Sequence, residues 1–472
     1  MLTLSHFLTS LSSNYHPSGQ EPALGSVVMD SREAKPGSLF VAYQGERADG
    51  HDYVAAAFEQ GAIAALIEKP IAGNFATCDL RQRTIPADFT LTYPLCLLVD
   101  NSVHALQQSA LAWRNKFNVD VIGVTGSVGK TSTKDLIHSV LATKYQTFKS
   151  PGNRNSVLGL PLALFELRPN HQVAVLEMAM YTQGEIARLC ELTHPKIGVL
   201  TLIGPVHMER AGSMEAIVAA KQELVEALPA DGIAILNQDD ERVMGMAAHT
   251  QARIFTYGLT NQADLWADNI HSMGLDGVRF TLHYQGEALN VHVPLLGRHN
   301  VHTALRAAAV GLVKGLGWQD IVVGLRRLAK TQLRLVAVPG PADSIIIDDT
   351  YNSSPDSAMA ALNLLEDLDG RRVAVLGDML ELGHVEEESH RLVGRRVADV
   401  ANLLVTVGQR AQWIADEALR VGMRPTMVHA ADNIETAVSL LESLIQPQDI
   451  VLVKASWGMR LDRIVATLGR DS

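Results

Sequence analysis

Short apolar runs separated by longer amphipathic stretches recur along the chain of 472 residues. The runs, each four to six residues long and rich in Val, Ile and Leu, occupy residues 119–124, 173–176, 197–202, 233–236, 344–347, 373–376, 403–407 and 450–453. Between many of them, apolar residues recur every three or four positions, which is typical of amphipathic helices. Because a strand buried on both faces appears as a continuous apolar run, this alternation predicts an α/β protein built on largely parallel sheets.

Several of the apolar runs are followed directly by polar residues. These are Thr125, Glu177, Asp348, Asp349 and Asp378. In open α/β sheets, ligands bind outside the carboxyl ends of the strands, so these positions are candidates for chemistry. A carboxylate such as Glu177 is costly to bury unless it binds something. The alternative is that Glu177 simply faces solvent at the end of its strand.

The composition argues against several classes of protein. The chain is 47% hydrophobic and 19% charged, as in globular proteins with sizeable cores, and its net charge of −11 disfavours a nucleic-acid partner. Cys78, Cys96 and Cys190 have no metal-site spacing, and their odd number argues against a disulfide framework. The N-terminal segment lacks a basic signal-peptide region, and no apolar run reaches the roughly 18 residues of a membrane span. We therefore expect a cytoplasmic protein without a membrane span.

Two segments indicate domain boundaries. The first lies near residues 102–112, before the run at 119–124, and the second near 330–341, where a helical pattern gives way to Pro339, Gly340 and Pro341. A chain of this length has room for about three domains. We predict domains at residues 1–105, 106–333 and 334–472.

A glycine-rich turn between a strand and a helix is the strongest local motif. It consists of Thr125, Gly126, Ser127, Val128, Gly129, Lys130, Thr131 and Ser132, and the apolar stripe of the following helix is Leu136, Ile137, Val140 and Leu141. Such a loop surrounds phosphates with backbone N–H groups, its lysine reaches the terminal phosphates, and the hydroxyl after it binds Mg²⁺. The strict P-loop pattern would place glycine at Val124, and the alternative is an ordinary tight turn with a solvated lysine.

Further segments occur in the order typical of one family. They are MDSREAKPGSLFVAYQGERADGHDYVAAAFEQGAIAALIE within 26–68, LEMAMYTQGEI at 176–186, TLIGPVHMERAGSMEAIVAAKQEL at 201–224, LGRHN at 296–300, DDTYNSSPDS at 348–357 and LGDMLELG at 376–383. Together with TGSVGKT at 125–131, they resemble the Mur ligase family over nearly the whole chain. The resemblance implies a three-domain α/β architecture: an N-terminal domain that binds a UDP-sugar substrate, a central P-loop ATPase domain and a Rossmann-like C-terminal domain.

The resemblance also implies an activity. The best match is to ligases that use ATP to activate the terminal carboxylate of UDP-N-acetylmuramoyl-tripeptide as an acyl phosphate. The amine of D-alanyl-D-alanine then attacks, and a tetrahedral intermediate releases phosphate, leaving the pentapeptide and ADP. Such a protein would complete the cytoplasmic peptidoglycan precursor, on which cell shape and cell division depend. We expect a monomer that uses ATP and two Mg²⁺ ions.

Site residues follow from matching positions in the family motifs. The resemblance implies that the glycine loop from Thr125 to Ser132, with Asn300, Arg334, Asp349 and Asn352, binds ATP. It implies that Thr131, Glu177 and His207 bind metal, with Lys130 and His207 catalytic. It assigns Ser31, Arg32, Asn153 and Asn155 to the UDP-peptide substrate, and Asp378 and Glu381 to the D-alanyl-D-alanine site. Asp and Ser residues of the segment 348–357 could also cap the helix that follows.

Lys221 lies on the apolar stripe of a predicted helix over 214–228. It is four residues after Ile217, three before Leu224 and four before Val225. One interpretation is that its stem packs while its ammonium reaches the rim. The family resemblance implies another, in which Lys221 reacts with CO₂ to form a carbamate that is catalytic and holds a second Mg²⁺.

Two other functions remain open at this point. A sister ligase that adds a single amino acid, such as a folylpolyglutamate synthase, would share the central domain, although the segments 348–357 and 376–383 disfavour it. A binding module that uses ATP as a switch would need no second substrate. The two classes differ in whether ADP release requires both a UDP-muramyl peptide and a dipeptide amine.

Overall fold

A computed structural model describes residues 1–46, 48–327 and 335–469. The first part of the chain contains strands β1 Ser26–Val28, β2 Ser38–Val41, β3 Ala64–Ile67, β4 Ala76–Asp79 and β5 Leu95–Leu98, and helices α1 Leu4–Leu11, α2 Val54–Glu59 and α3 Ser102–Arg114. The segment near 102–112, which the sequence analysis marks as a boundary, is therefore helical. The predicted domain limits themselves remain predictions.

The middle of the chain alternates strands with helices until a run of antiparallel strands. The strands are β6 Asp120–Thr125, β7 Thr147–Lys149, β8 Val173–Glu177, β9 Ile197–Leu200, β10 Ile233–Asn237, β11 Arg253–Gly258, β12 Leu265–Ser272, β13 Val278–Tyr284 and β14 Glu287–Val293. The helices are α4 Lys130–Leu141, α5 Gly159–Leu164, α6 Glu185–Thr193, α7 Met208–Ala211, α8 Met214–Glu226, α9 Glu241–Gly245, α10 Asn300–Val313 and α11 Trp318–Arg326.

The last part of the chain again alternates strands and helices. The strands are β15 Val336–Pro339, β16 Ile345–Asp349, β17 Arg372–Gly377, β18 Leu403–Val407, β19 Val428–Ala431 and β20 Ile450–Lys454. The helices are α12 Pro355–Glu366, α13 Glu386–Val400, α14 Gln412–Arg420, α15 Ile434–Leu444 and α16 Asp462–Leu468. Every apolar run named in the sequence analysis coincides with a strand, which confirms the α/β prediction.

The chain forms two compact units. One comprises Met1–Val121, Ser150–Met178 and Arg188–His194, and the other comprises Ile122–Lys149, Ala179–Ala187 and Pro195–Ser472. The first unit contains a five-stranded sheet in the order β1-β2-β3-β5-β4. All of its neighbouring strands are parallel, and its core consists of apolar side chains of the strands and of α2.

In the second unit, neighbouring strands of one large sheet run in the order β14-β13-β12-β11-β10-β9-β6. The pairs from β6 to β12 are parallel, whereas β12, β13 and β14 form an antiparallel extension. The predicted stripe of α4 is fully buried. Because β6 and β9 are parallel neighbours, the segments that leave their carboxyl ends start side by side.

The six-stranded sheet of the second unit runs in the order β15-β16-β20-β17-β18-β19, with only β15 antiparallel. Alternate strand residues enter two separate cores, one with side chains of α12, α13 and α14 and the other with α15 and α16. Helices on both faces of a parallel sheet are the doubly wound arrangement expected for a Rossmann-like domain. The predicted cap is also present, since the Ser354 side chain accepts from the backbone N–H of Ser357 at the start of α12.

No helix in the described parts of the chain combines the length and apolar character needed to cross a membrane.

Candidate functional site

The glycine loop connects the end of β6 to the first turn of α4. Gly126 has φ 141° and Gly129 has φ 84°, values that favour glycine over other residues. A Cβ atom added to Gly126 would overlap the hydroxyl of Thr201, at the end of β9. The sequence therefore places glycine where the backbone passes close to its neighbour, and the loop wraps the N-terminus of α4, where backbone N–H groups attract anions.

Hydrogen bonds attach this loop to the segment after β9. The Ser127 hydroxyl donates to the Gly204 carbonyl at 2.9 Å and accepts from the Gly204 N–H at 3.0 Å. The Ser127 N–H donates to the Leu202 carbonyl at 2.8 Å. This segment continues to His207, so the shape of the phosphate loop is coupled to the position of the histidine.

Lys130 folds over the loop that it follows. Its ammonium donates to the carbonyls of Gly126 at 2.9 Å and Ser127 at 3.1 Å. Thr131 and Ser132 occupy the first turn of α4 and are half-buried, as is Val128 at the tip of the loop. The loop thus combines a lysine cation, hydroxyls and a helix N-terminus at one place, which is suited to binding a polyphosphate.

His207 hydrogen-bonds to Glu381 through its Nδ1 atom. Both residues have left-handed backbone, with φ 54° and 65°, and the Glu209 N–H donates to the Glu381 carbonyl at 3.3 Å. The hydrogen bond from His207 lowers the pKa of the Glu381 carboxyl. The structure therefore brings a predicted metal ligand together with a residue that the sequence analysis assigned to the dipeptide site.

Glu177, in the first unit, is buried with 1% of its surface exposed. Its Oε1 accepts from the Asn155 side chain at 2.9 Å, and its N–H donates to the Ser150 hydroxyl at 3.2 Å. The alternative of a solvent-facing glutamate at a strand end is wrong, because the strand end is covered. Of the two predicted asparagines, Asn155 hydrogen-bonds to Glu177 and Asn153 is exposed.

Lys221 on α8 is also 1% exposed, as its position on the apolar stripe predicts. Glu223, two residues later, accepts from the N–H groups of Gly184 at 2.6 Å and Ala187 at 2.9 Å. These contacts fix α8 against the segment that begins α6. The interpretation in which the ammonium reaches the protein rim is wrong, because the whole residue is covered.

A buried lysine bonds to two of the predicted nucleotide-binding residues at the edge of the C-terminal sheet. Lys454, at the end of β20, is 1% exposed and donates to the Asp349 carboxylate at 2.7 Å and to the Asn352 carbonyl at 2.8 Å. Asn300 begins α10 and donates to the Leu296 carbonyl at 2.7 Å. Lys454 was not among the predicted site residues, although a lysine that closes an apolar run is a visible signal. Arg334 lies outside the described residues.

Asp378, Ser31 and Arg32 are the remaining predicted substrate residues, and they lie at two different places in the structure. The Asp378 carboxylate accepts from the Ala411 N–H at 2.8 Å, just before α14, and lies 3.7 Å from Arg410. Ser31 and Arg32 lie in a short 3₁₀ turn in the first unit, where the highly exposed Arg32 side chain pairs with Asp30. Asp378 thus holds the backbone just before α14, and Arg32 is accessible to a ligand.

Within residues 1–46, 48–327 and 335–469, no group of three or more His, Cys, Asp and Glu side chains could hold a metal ion by itself. Mg²⁺ commonly keeps several waters and binds through one or two protein groups and the phosphates of a substrate. The hydroxyl of Thr131 beside the phosphate loop fits this mode of binding. An imidazole ligand such as His207 is unusual for Mg²⁺, because the ion prefers oxygen.

Three consecutive parts of the chain match domains of known proteins. Residues 24–86 match the Mur ligase family catalytic domain, 124–311 the Mur ligase middle domain and 334–457 the Mur ligase glutamate ligase domain. UDP-N-acetylmuramoyl-tripeptide–D-alanyl-D-alanine ligase of Bacillus subtilis strain 168 is 36% identical over 456 residues, which cover 96% of this chain and 95% of that protein.

Two solved structures share the whole fold. MurF from Acinetobacter baumannii superposes with a TM-score of 0.85 at 30% identity, covering 99% of this chain and 98% of that one. MurF ligase from Thermotoga maritima, solved in complex with ADP, gives a TM-score of 0.77 at 27% identity, covering 93% and 96%. With its three matching domains and these full-length relatives, the chain belongs to the Mur ligase family.

Proposed function

We propose that this chain catalyses the ATP-dependent ligation of D-alanyl-D-alanine to UDP-N-acetylmuramoyl-tripeptide. The observation that carries the proposal is the full-length similarity to ligases of that name, at 36% identity over 96% of the chain. The similarity includes the phosphate loop and the C-terminal sheet, and so supports the reaction as a whole rather than nucleotide binding alone. The product would be the pentapeptide precursor of peptidoglycan, made in the cytoplasm where nucleotide-linked precursors are available.

The first step joins two anions, and that is its main difficulty. A carboxylate oxygen of the tripeptide attacks the γ-phosphorus of ATP, and the bond from that phosphorus to the β–γ bridging oxygen breaks to release ADP. Backbone N–H groups of residues 126–129 and the Lys130 ammonium would stabilise the charge on the transferring group. Thr131 and His207 would hold Mg²⁺, which supplies further charge neutralisation.

The second step forms the amide. The amine of D-alanyl-D-alanine attacks the acyl carbon, loses a proton, and the tetrahedral intermediate expels phosphate. Acyl phosphates hydrolyse, so the site must exclude water during this step. We assign Asn300, Arg334, Asp349 and Asn352 to the nucleotide, and Asp378 and Glu381 to the shape of the dipeptide site. The contacts of Asp349 with Lys454 and of Glu381 with His207 support roles in positioning.

The remaining assignments concern the first unit and α8. Ser31, Arg32, Asn153 and Asn155 are proposed contacts of the UDP-peptide, and Glu177 is a proposed metal ligand. The burial of Glu177 supports a role beyond solvation, because an ionised carboxylate is costly to bury without partners. Lys221 is proposed to act as a carbamate that binds a second Mg²⁺.

A phosphate-release assay tests the proposal. The purified chain is supplied with MgATP and UDP-N-acetylmuramoyl-tripeptide, with D-alanyl-D-alanine, D-alanine or no amine. We expect phosphate release only with both the UDP-peptide and the dipeptide. Release with a single amino acid would instead identify a sister ligase, and release with ATP alone would identify a nucleotide-driven switch.

A further inference from the structure

Arg306 is a buried cation in the middle of α10, with 4% of its surface exposed. Its Nη2 donates to the Thr303 hydroxyl at 3.0 Å, whereas its Nε is buried without a hydrogen-bond partner. Within the described part of the chain, no carboxylate pairs with it, and the only group that favours its charge is Tyr257. A buried charge without a counterion destabilises the folded state, which suggests that a ligand supplies the missing negative charge.

The guanidinium lies against the phosphate loop. A Cβ placed on Gly129 would be 3.6 Å from Nη2 and 3.7 Å from Nη1, so the group reaches the turn immediately before α4. Its other side faces the Tyr257 ring, 5.8 Å from the ring centroid. Arg306 thus lies close to both the turn at Gly129 and the ring of Tyr257.

The environment of Arg306 disfavours its positive charge. Burial lowers the pKa of the guanidinium, and the Lys130 ammonium is held at the same loop by the carbonyls of Gly126 and Ser127. Two cations and a helix N-terminus therefore gather around one turn. In a medium of low polarity, an anion bound at that turn interacts strongly with each of them.

We propose that Arg306 is a positioning residue for the phosphate chain of the nucleotide, and that the bound polyphosphate neutralises its buried charge. The inference rests on the proposed binding of ATP at the loop. In the nucleotide-free protein the charge destabilises the fold, and in the complex it contributes affinity. Arg306 acts through the backbone of the loop, because its guanidinium lies against the turn at Gly129.

A hydrogen-bonded chain along α10 provides an internal control. The Thr303 hydroxyl, which accepts from Arg306, donates to the Asn300 side-chain oxygen at 3.1 Å. The Mur ligase resemblance implies that Asn300 contacts the adenine end of ATP. Loss of Arg306 leaves the hydroxyl bonded to Asn300, whereas loss of the hydroxyl releases both Asn300 and Arg306 from it. The two residues should therefore affect different parts of the ligand.

The test compares Arg306→Met, which keeps the volume without the charge, with Arg306→Lys and Thr303→Val. For each variant, the affinities for ADP and for adenosine are measured in Mg²⁺ buffer, together with urea unfolding of the nucleotide-free protein. We expect Arg306→Met to weaken ADP about tenfold or more, on the scale of one charged contact, and adenosine by less than about threefold. Its nucleotide-free form should be at least as stable as wild type.

The controls separate this role from a structural one. Arg306→Lys should bind ADP more tightly than Arg306→Met, and Thr303→Val, which removes the hydroxyl shared by Arg306 and Asn300, should weaken adenosine as well as ADP. Equal ADP and adenosine losses in Arg306→Met, equal ADP affinities of the Met and Lys variants, or a nucleotide-free Met variant that is less stable or unfolded would each overturn the inference. If the wild-type protein itself fails to bind ADP, the proposed function fails instead.

Discussion

Glu381 accepts a hydrogen bond from Nδ1 of His207, although 174 positions separate the two residues in the chain. Because a carboxylate only accepts, Nδ1 is the donor of this bond, and in a neutral ring Nε2 then carries the lone pair that a metal needs. It also connects the segment after β9 to the segment after β17. The same segments meet again where a Cβ on Gly383 would lie 3.2 Å from the Glu209 backbone.

Replacement of Glu381 should therefore weaken metal binding. We expect Glu381→Ala to raise the Mg²⁺ concentration required for half-maximal phosphate release by roughly 10- to 100-fold, the usual effect of losing the partner of a metal-binding histidine. Mn²⁺ binding followed by electron paramagnetic resonance gives a second readout in the presence of ADP. Glu442→Ala, at an exposed glutamate of α15, serves as the control. Metal affinities that are equal in the two variants would show that the hydrogen bond only stabilises the fold.

Lys130 is expected to be essential for phosphoryl transfer and dispensable for folding. Its ammonium bonds two loop carbonyls, whereas the glycines and the Ser127–Gly204 bonds set the loop shape. Lys130→Ala should lose about 3–4 kcal/mol of transition-state stabilisation, on the scale of one electrostatic catalytic group. Single-turnover ADP formation measures this loss, and circular dichroism checks the fold. A folded Lys130→Ala protein with the turnover of the exposed-lysine control Lys196→Ala would contradict the phosphate-loop assignment.

His6 should make the first unit sensitive to acid. It is buried, its Nε2 lies 2.7 Å from the Ser109 carbonyl, and burial lowers its pKa from 6.5 to about 4. A neutral ring donates to that carbonyl, while the unfolded chain takes up a proton once the pH falls below 6.5. Stability is therefore lost as the pH falls from 6.5 to about 4, by about 3 kcal/mol in all.

Urea unfolding followed by tryptophan fluorescence measures this loss, and Trp113, which contacts the His6 ring, is one of its five reporters. His6→Gln keeps a donor for Ser109 and cannot titrate. Between pH 7 and pH 4.5 the free energy of unfolding should fall more for wild type than for His6→Gln. Parallel pH profiles of the two proteins would rule out His6 as the titrating group.

Local patterns determined what could be predicted from the sequence. Strands buried on both faces require continuous apolar runs, and the glycine loop requires particular residues at fixed spacing, so both were visible. Helical periodicity also placed Lys221 on the apolar stripe of α8, although it left open whether the ammonium is covered as well. In these cases the pattern depends only on residues that are close together in the sequence.

Contacts between residues that lie far apart in the chain could not be predicted from the sequence. The contacts His207–Glu381 and Lys454–Asp349 depend on which strands become neighbours, and a single sequence does not specify the register of side chains across a sheet edge. Arg306 is an intermediate case. An arginine among Ala and Val residues of α10 is a signal of burial, but its position beside Gly129 appears only when α10 packs on α4.

The burial of Lys221 makes a carbamate chemically reasonable. A neutral lysine amine reacts with CO₂, and the resulting carbamate is an anion with two oxygens suited to Mg²⁺. We expect ¹³C-labelled bicarbonate to give a carbamate resonance in wild-type protein and none in Lys221→Ala. Lys221→Ala should lose most activity, and short-chain carboxylates such as acetate should restore part of it by replacing the missing anion. Acetate should leave Lys196→Ala unchanged. Electron density showing a plain ammonium at Lys221, in an active crystal with metal and nucleotide bound, would refute the carbamate and leave the ligase assignment standing.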